Sequence, residues 1–164
     1  MSLINRRASL SGLMGLALAG LATSSVAQQA VTLRFHQMLP AHAAIPAKAI
    51  APWIRKVEAE SGGRLKIQQF NAMQLGGAPP QLFDQARNGV VDLTWTVLGY
   101  TPGRFPRTEV FELPFMTGSA ESSSKALWEY VQLHAQEEFK DVKLIALHTH
   151  GPGLFHTKTP VTGL

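Results

Sequence analysis

Two histidines, His148 and His150, stand two apart in a segment whose residues favour an extended backbone, so their side chains share one face. Such a pair can donate hydrogen bonds to a carboxylate or supply two ligands to zinc. A zinc site needs about three or four ligands, and His36, His42 and His156 complete one only if folding gathers them. A carboxylate is costly to take out of water unless donors meet its oxygens, and the arginine fork fits them best. Arg34, Arg55, Arg64 and Arg87 fall on polar sides of their segments. Arg104 and Arg107, in the loop after Tyr100, remain as site candidates, with pairing to Glu109 or Glu112 as their alternative role. Trp95 can wall a pocket or fill a core, and Tyr100 adds a hydroxyl to its ring. Gln37 and Gln74 bring polar tips to loops. The expected ligand-binding set is Gln37, Gln74, Trp95, Tyr100, His148 and His150, with no catalytic residue, no metal and no cofactor. A zinc hydrolase or metal-binding protein built on the histidines is the alternative. It lacks a His-Glu-x-x-His motif, any cysteine and a Gly-x-Ser-x-Gly turn.

These residues need elements to hold them. Val31 to Met38 reads as a strand, and Ile45, Ala49, Ile50, Trp53, Ile54 and Val57 recur at helical spacing over 43–60. Pro46 suits a first turn, whereas Pro52 predicts a kink or a helix in two parts. Ser61-Gly62-Gly63 ends it. Leu65–Phe70 is a strand, 71–78 a loop, and Pro79-Pro80 opens a helix to about Asn88 that Gly89 stops. Val90–Val97 is a strand, and 101–114, with four turn-forming Pro and Gly residues, is extended or turn-rich. Ser119–Phe139 is the strongest helix, with Ala120, Leu127, Tyr130, Val131 and His134 as its inner stripe. Val142–His148 is a further strand. The alternation predicts an α/β fold with a largely parallel sheet. Ligands of such sheets sit beyond the carboxyl ends of the strands, which points to the loops 36–42, 74–77, 95–100 and 148–156.

The chain has 15 basic and 11 acidic residues and no cysteine. Its first 27 residues read as an export signal: Arg6-Arg7, an uncharged apolar run from Leu13 to Ala22, and Ser25-Val26-Ala27 as a small-x-small cleavage pattern. The run is too short for the ~20 residues that span a bilayer. The paired arginines also fit a twin-arginine signal. Cleavage near Ala27 places the product in the periplasm as an α/β unit over 28–164. Without Arg6 and Arg7 the charge nearly balances, and no basic run with interleaved aromatics remains, so no nucleic-acid partner is expected.

Six pieces then form a recognisable series: Ser61-Gly62-Gly63-Arg64-Leu65-Lys66, Gln74-Leu75-Gly76-Gly77, Gly89-Val90-Val91-Asp92-Leu93, Pro102-Gly103-Arg104-Phe105-Pro106, Phe111-Glu112-Leu113-Pro114-Phe115 and Lys158-Thr159-Pro160-Val161. Together they resemble the solute-binding subunit of TRAP (tripartite ATP-independent periplasmic) transporters. The resemblance implies a periplasmic-binding-protein-like (type II) two-lobed fold that closes on a small organic acid. It also implies membrane partners, a small and a large integral membrane subunit, that use an ion gradient. By this resemblance 28–164 is mainly the first lobe, the second lobe is missing, and an arginine that pairs with the substrate carboxylate is expected after Leu164. Another arginine usual in the family near 150–155 has no counterpart in His148–His156. That departure leaves the acid open. A binder serving an ATP-driven transporter or a sensor is a further alternative.

Overall fold

The computed structural model describes residues 29–116, 118–151 and 156–161. The export signal read at 1–27 and residues 152–155 lie outside the described residues. Among the described residues no helix is long and apolar enough to cross a membrane.

Strand β1 (Val31–Gln37) begins exposed and ends buried at Phe35, His36 and Gln37. It is the middle strand of a parallel sheet of order β2-β1-β3, with β2 at Leu65–Phe70 and β3 at Leu93–Trp95. Leu33 and Phe35 face helix α1 (Ala51–Glu60), where they join Ile50, Ile54 and Ile67 in one core cluster. The two-part helix expected from Pro52 is present. Residues Pro46–Ile50 form a π-helical turn in which the Ala51 N–H bonds the Pro46 carbonyl, five residues back. Widening the turn there accommodates a proline that has no N–H to give. The helix ends as expected at Gly62 and Gly63, both left-handed. The Gly62 N–H bonds the Ala59 carbonyl and the Gly63 N–H the Glu58 carbonyl, so orphan carbonyls are satisfied without a Cβ penalty.

Pro79–Gln81 opens helix α2 (Leu82–Arg87), which packs toward the other face of the sheet. Strand β3 is shorter than the 90–97 expected. The Asp92 carboxylate accepts the Arg34 N–H at 2.7 Å, taking a place the ladder would use, and pairing starts at Leu93. The 101–114 stretch is turn-rich but not free of helix, since Thr108–Glu112 is a 3₁₀ turn. Its cause is remote: the Glu138 carboxylate accepts from the N–H groups of Arg107 (2.6 Å) and Thr108 (3.1 Å) and from the Thr108 hydroxyl. A side chain thirty residues away thus caps the orphan donors of that turn.

Helix α3 (Ala120–Tyr130) is capped by Ser119, which accepts the Ser122 N–H, and continues through a π-helical turn to a 3₁₀ end at Phe139. Its buried stripe is Ser123, Leu127, Val131, Ala135 and Phe139; Ala120 and His134, expected inside, are exposed. A strict four-residue step drifts about 40° per repeat on an α-helix, and the wider π-helical turn rotates the stripe back. Phe83, Phe105, Leu127, Val131, Ala135 and Phe139 form the second core cluster. The strand expected at Val142–His148 is not paired with any described strand. Val142, Leu144 and Leu147 still turn inward onto the second cluster, but the three-residue step from 144 to 147 breaks the alternation of a strand.

Candidate functional site

A cleft of about 1050 Å³, mostly apolar, runs along the free edge of β3. Its walls are Asp92–Leu98, the turn Phe111–Phe115, and the extended segment Asp141–Gly151. In the sheet order β2-β1-β3 the outer edge of β3 is unpaired, and the cleft lies between that edge and the unpaired 141–151 segment, with no residue of β1 in its lining.

Of the six sequence-derived candidates the structure brings three to this cleft: Trp95, His148 and His150. The indole N–H of Trp95 donates to His148 Nε2 at 2.8 Å, and the two rings lie within 9° of parallel. Indole has only a donor, so Nε2 must be the unprotonated nitrogen and Nδ1 carries the proton. That proton faces the Thr149 carbonyl at 3.2 Å. His148 in this arrangement is a neutral imidazole that holds Trp95, with no charge to offer an anion. His150 lies beyond it, its Nδ1 2.7 Å from the Gly151 carbonyl. The segment is fastened to α3 by the Thr149 N–H, which donates to the Ser124 hydroxyl at 2.9 Å. The Ser124 hydroxyl donates in turn to the Ala120 carbonyl. Side-chain ties do here what a strand ladder would have done.

The other three candidates are elsewhere. Gln37 is fully buried and spends its amide on structure, donating to Asn71 Oδ1 at 2.6 Å and to the Leu39 carbonyl while accepting the Leu39 N–H. Gln74 is exposed and accepts the Asn71 N–H, closing its own loop. Tyr100 is 45% exposed and does not line the cleft. His36 is also fully buried. Its Nε2 accepts the Leu75 N–H and its Nδ1 meets Gln85 Oε1 at 2.6 Å, which makes it a neutral pin between the 71–78 loop and α2. Among the described residues no three His, Asp or Glu side chains are grouped to hold a metal ion.

Arg104 pairs with neither Glu109 nor Glu112. Its guanidinium makes two bonds to the Asp84 carboxylate, at 2.7 and 3.0 Å, and lies 4.3 Å over the Phe83 ring. That hydrogen bond, outweighing partial burial and aided by the charges of Arg104 and Arg87, holds the Asp84 carboxyl below the usual carboxylate range. Arg107 donates to the His134 carbonyl. Both arginines brace the cleft from outside.

Sequence reasoning passed over four charged groups that do line the cleft, Asp92, Glu112, Asp141 and Lys143. Lys143 is the cation nearest in type to what a carboxylate requires, and its place in an alternating segment was the available signal. Glu112 comes from the Phe-Glu-Leu-Pro-Phe piece. Its carboxylate lies so close to Gly99 that a Cβ there would overlap it.

The profile of the bacterial extracellular solute-binding protein, family 7, matches residues 36–164. A TRAP solute-binding protein from a marine metagenome, specific for aromatic acid ligands and crystallised with 3-hydroxybenzoate, is 55% identical. It superposes with a TM-score of 0.74 over 76% of this chain and 39% of its own. A second from Rhodoferax ferrireducens, with copurified benzoate, is 53% identical, with a TM-score of 0.72 over 74% of this chain and 38% of its own. A third from Bordetella bronchiseptica, with bound mandelate, is 33% identical, with a TM-score of 0.64 over 74% and 39%. The outer membrane transporter protein TsaT of Comamonas testosteroni is 29% identical over 81% of this chain and 40% of its own length. The chain therefore spans about two fifths of the length of these relatives. The α/β sheet is that of a type II, two-lobed periplasmic-binding-protein-like fold, of which the described residues form mainly one lobe.

Proposed function

The chain belongs to the bacterial extracellular solute-binding protein family 7, and on that footing we propose that it acts in the periplasm as the solute-binding subunit of a TRAP transporter. Its cargo is a small organic acid, most specifically an aromatic monocarboxylate. The observation that carries this reading is the 53–55% identity, over three quarters of the chain, to two proteins that hold benzoate or 3-hydroxybenzoate. The cleft supports it, because a mostly apolar pocket walled by Trp95 and Phe111 suits a flat ring, while Lys143 offers a cation to a carboxylate. A protein that hands its cargo on needs binding without turnover, and the family and the solved relatives are solute-binding proteins. The small and large integral membrane subunits of the transporter are its partners in this reading, and the segment 1–27 is the signal that exports it, cleaved near Ala27.

Capture of the ligand is completed by a second lobe in this proposal, since the relatives extend well beyond the matched part. The first lobe on its own leaves one side of the ligand in water, so its affinity is weak, with Kd on the order of 1 mM. Saturation-transfer NMR on this chain tests the reading with benzoate, 3-hydroxybenzoate and mandelate against succinate and malate. Transfer to the aromatic acids and none to the aliphatic diacids is the expected result. No transfer to any aromatic acid overturns the cargo class, and submicromolar binding overturns the need for a second lobe.

A further inference from the structure

The loop 71–78, which leaves the carboxyl end of β2, is fastened in two unlike halves. The first half is tied to the chain after β1 by backbone bonds, from the Ala72 N–H to the Leu39 carbonyl at 3.0 Å and from the Met73 N–H to the Gln37 carbonyl at 3.2 Å. The second half, Leu75–Gly77, is tied through His36 and Gln85. The Leu75 N–H donates to His36 Nε2 at 3.3 Å, Gln85 Nε2 donates to the Gly76 carbonyl at 3.1 Å, and Gln85 Oε1 meets His36 Nδ1 at 2.6 Å. Only one placement of protons satisfies all three contacts. Nε2 is bare because it faces a donor, so Nδ1 carries the ring proton and gives it to Oε1, which leaves the amide N–H of Gln85 for Gly76. His36 is fully buried. Gly76 and Gly77, left-handed and without a Cβ, let the half they carry change course at little cost.

We propose that His36 is an acid-sensitive latch, and that protonation of its ring releases Leu75–Gly77 while the sheet and the first half of the loop stay in place. A proton arriving at Nε2 turns the acceptor into a second donor pointing at the Leu75 N–H and creates a buried cation. Among the described residues no free carboxylate is placed to pair with it. The loop 71–78, Pro79–Gln81 and Leu93–Trp95 carry no titratable side chain. On β1, Arg34 lies two residues away on the same face and is taken up by Asp92 and the Gly89 carbonyl. On α2, Asp84 is paired with Arg104 and Arg87, and on β2 Lys66 pairs with Glu58. An imidazole in water takes up its proton at about pH 6.5. The latch therefore holds above about pH 7, and its opening is favoured by up to about tenfold for each pH unit below about 6.5. His36, Leu75 and Gln85 lie outside the cleft lining, so the latch is independent of what binds there.

Amide exchange of the whole chain, followed by NMR from about pH 7.5 to about pH 5, reads the latch at Leu75 and Gly76, with Leu33 and Phe35 of β1 as reference. Corrected for the intrinsic rate at each pH, protection of the two loop amides is expected to drop by about tenfold or more while that of the reference amides holds. His36→Gln keeps a donor and an acceptor without a titrating group, and its Leu75 protection is expected to stay level across the range. In the parent, the drop shares its midpoint with the titration of the His36 ring, read from the shift of its Cε1 proton. A level profile in the parent, or a drop of the same size in His36→Gln, overturns the latch. So does a drop in the parent whose midpoint departs from that of the His36 ring, a comparison that needs no variant to fold.

Discussion

The two core clusters are built in different ways. Around Phe35, Ile50, Ile54 and Ile67 the chain is held by repeating backbone bonds, with six residues of β1 in register with β2 and an α-helix laid across them. Around Phe83, Phe105, Leu127, Val131, Ala135 and Phe139 the backbone is mostly turns, 3₁₀ and π-helical pieces and one unpaired extended segment. There the fastening is done by side chains, three reaching backbone (Glu138 to 107–108, Glu109 to Gly103, Ser124 to Thr149) and one pairing with another side chain (Arg104 with Asp84). The second region carries the cleft. A regular scaffold leaves few groups free to shape a pocket. Irregular backbone held by individual side chains can present Trp95, Glu112, Lys143 and His150 to one space, at the cost of depending on each tie.

The largest effect that sharpens this contrast is expected from Phe105→Ala. Phe105 is 1% exposed and packs against both Phe83 and Phe139. Its loss costs about 3–5 kcal/mol in urea unfolding. If the clusters are separate cooperative units, amide exchange quickens across α3 and much less across β1 and β2. Equal quickening in both regions breaks the distinction.

Glu138→Ala comes next, because it strips the acceptor from two backbone N–H groups and one hydroxyl at once. About 1–3 kcal/mol is expected. The corresponding change in the first region, Glu58→Ala, removes one hydrogen bond, from the Ile67 N–H, and a long, partly exposed ion pair with Lys66, and loses less by the same denaturant measurement. A cost for Glu58→Ala equal to that of Glu138→Ala removes the idea that the cleft region depends more on side-chain ties than the first region does.

The smallest effect concerns acid. The Asp84 carboxyl is held below its ordinary value, chiefly by the Arg104 hydrogen bond. Its contribution is therefore fully present above the unfolded value of about 4 and is lost as pH falls through the lower folded value. The side chain is more than a third exposed, so solvent screening keeps the effect under about 1 kcal/mol. Thermal unfolding of the parent and of Asp84→Asn is expected to differ at pH 6 and to converge in strong acid. A gap that persists at the lowest pH assigns the difference to packing on Phe83 instead.

Legibility followed the same division. The βαβ half was readable because its signals are local: alternation in Val31–Gln37, the period of Ile50, Trp53, Ile54 and Val57, and the stop at Gly62-Gly63. In the cleft half the helix at Ala120–Tyr130 was readable, whereas the turn at Thr108–Glu112 was not, because its cap comes from Glu138. Trp95, His148 and His150 were chosen for their chemistry and their place at strand ends, and they line the cleft. Gln37 and His36 have the same credentials, yet folding turned both inward to tie loops down. Asp92, Glu112, Asp141 and Lys143 were missed because nothing local sets a cleft-lining charge apart from a solvated one.

The chain's own residues, through backbone propensity and apolar periodicity acting over a few neighbours, determined the α/β alternation, the helix ends and the motifs that carry the family. Which polar groups face the cleft and which are consumed as struts was decided only by tertiary contacts. A hydrogen-bonding group is used up by whatever partner folding brings within about 3 Å, and that partner is set by packing between segments about twenty to sixty residues apart.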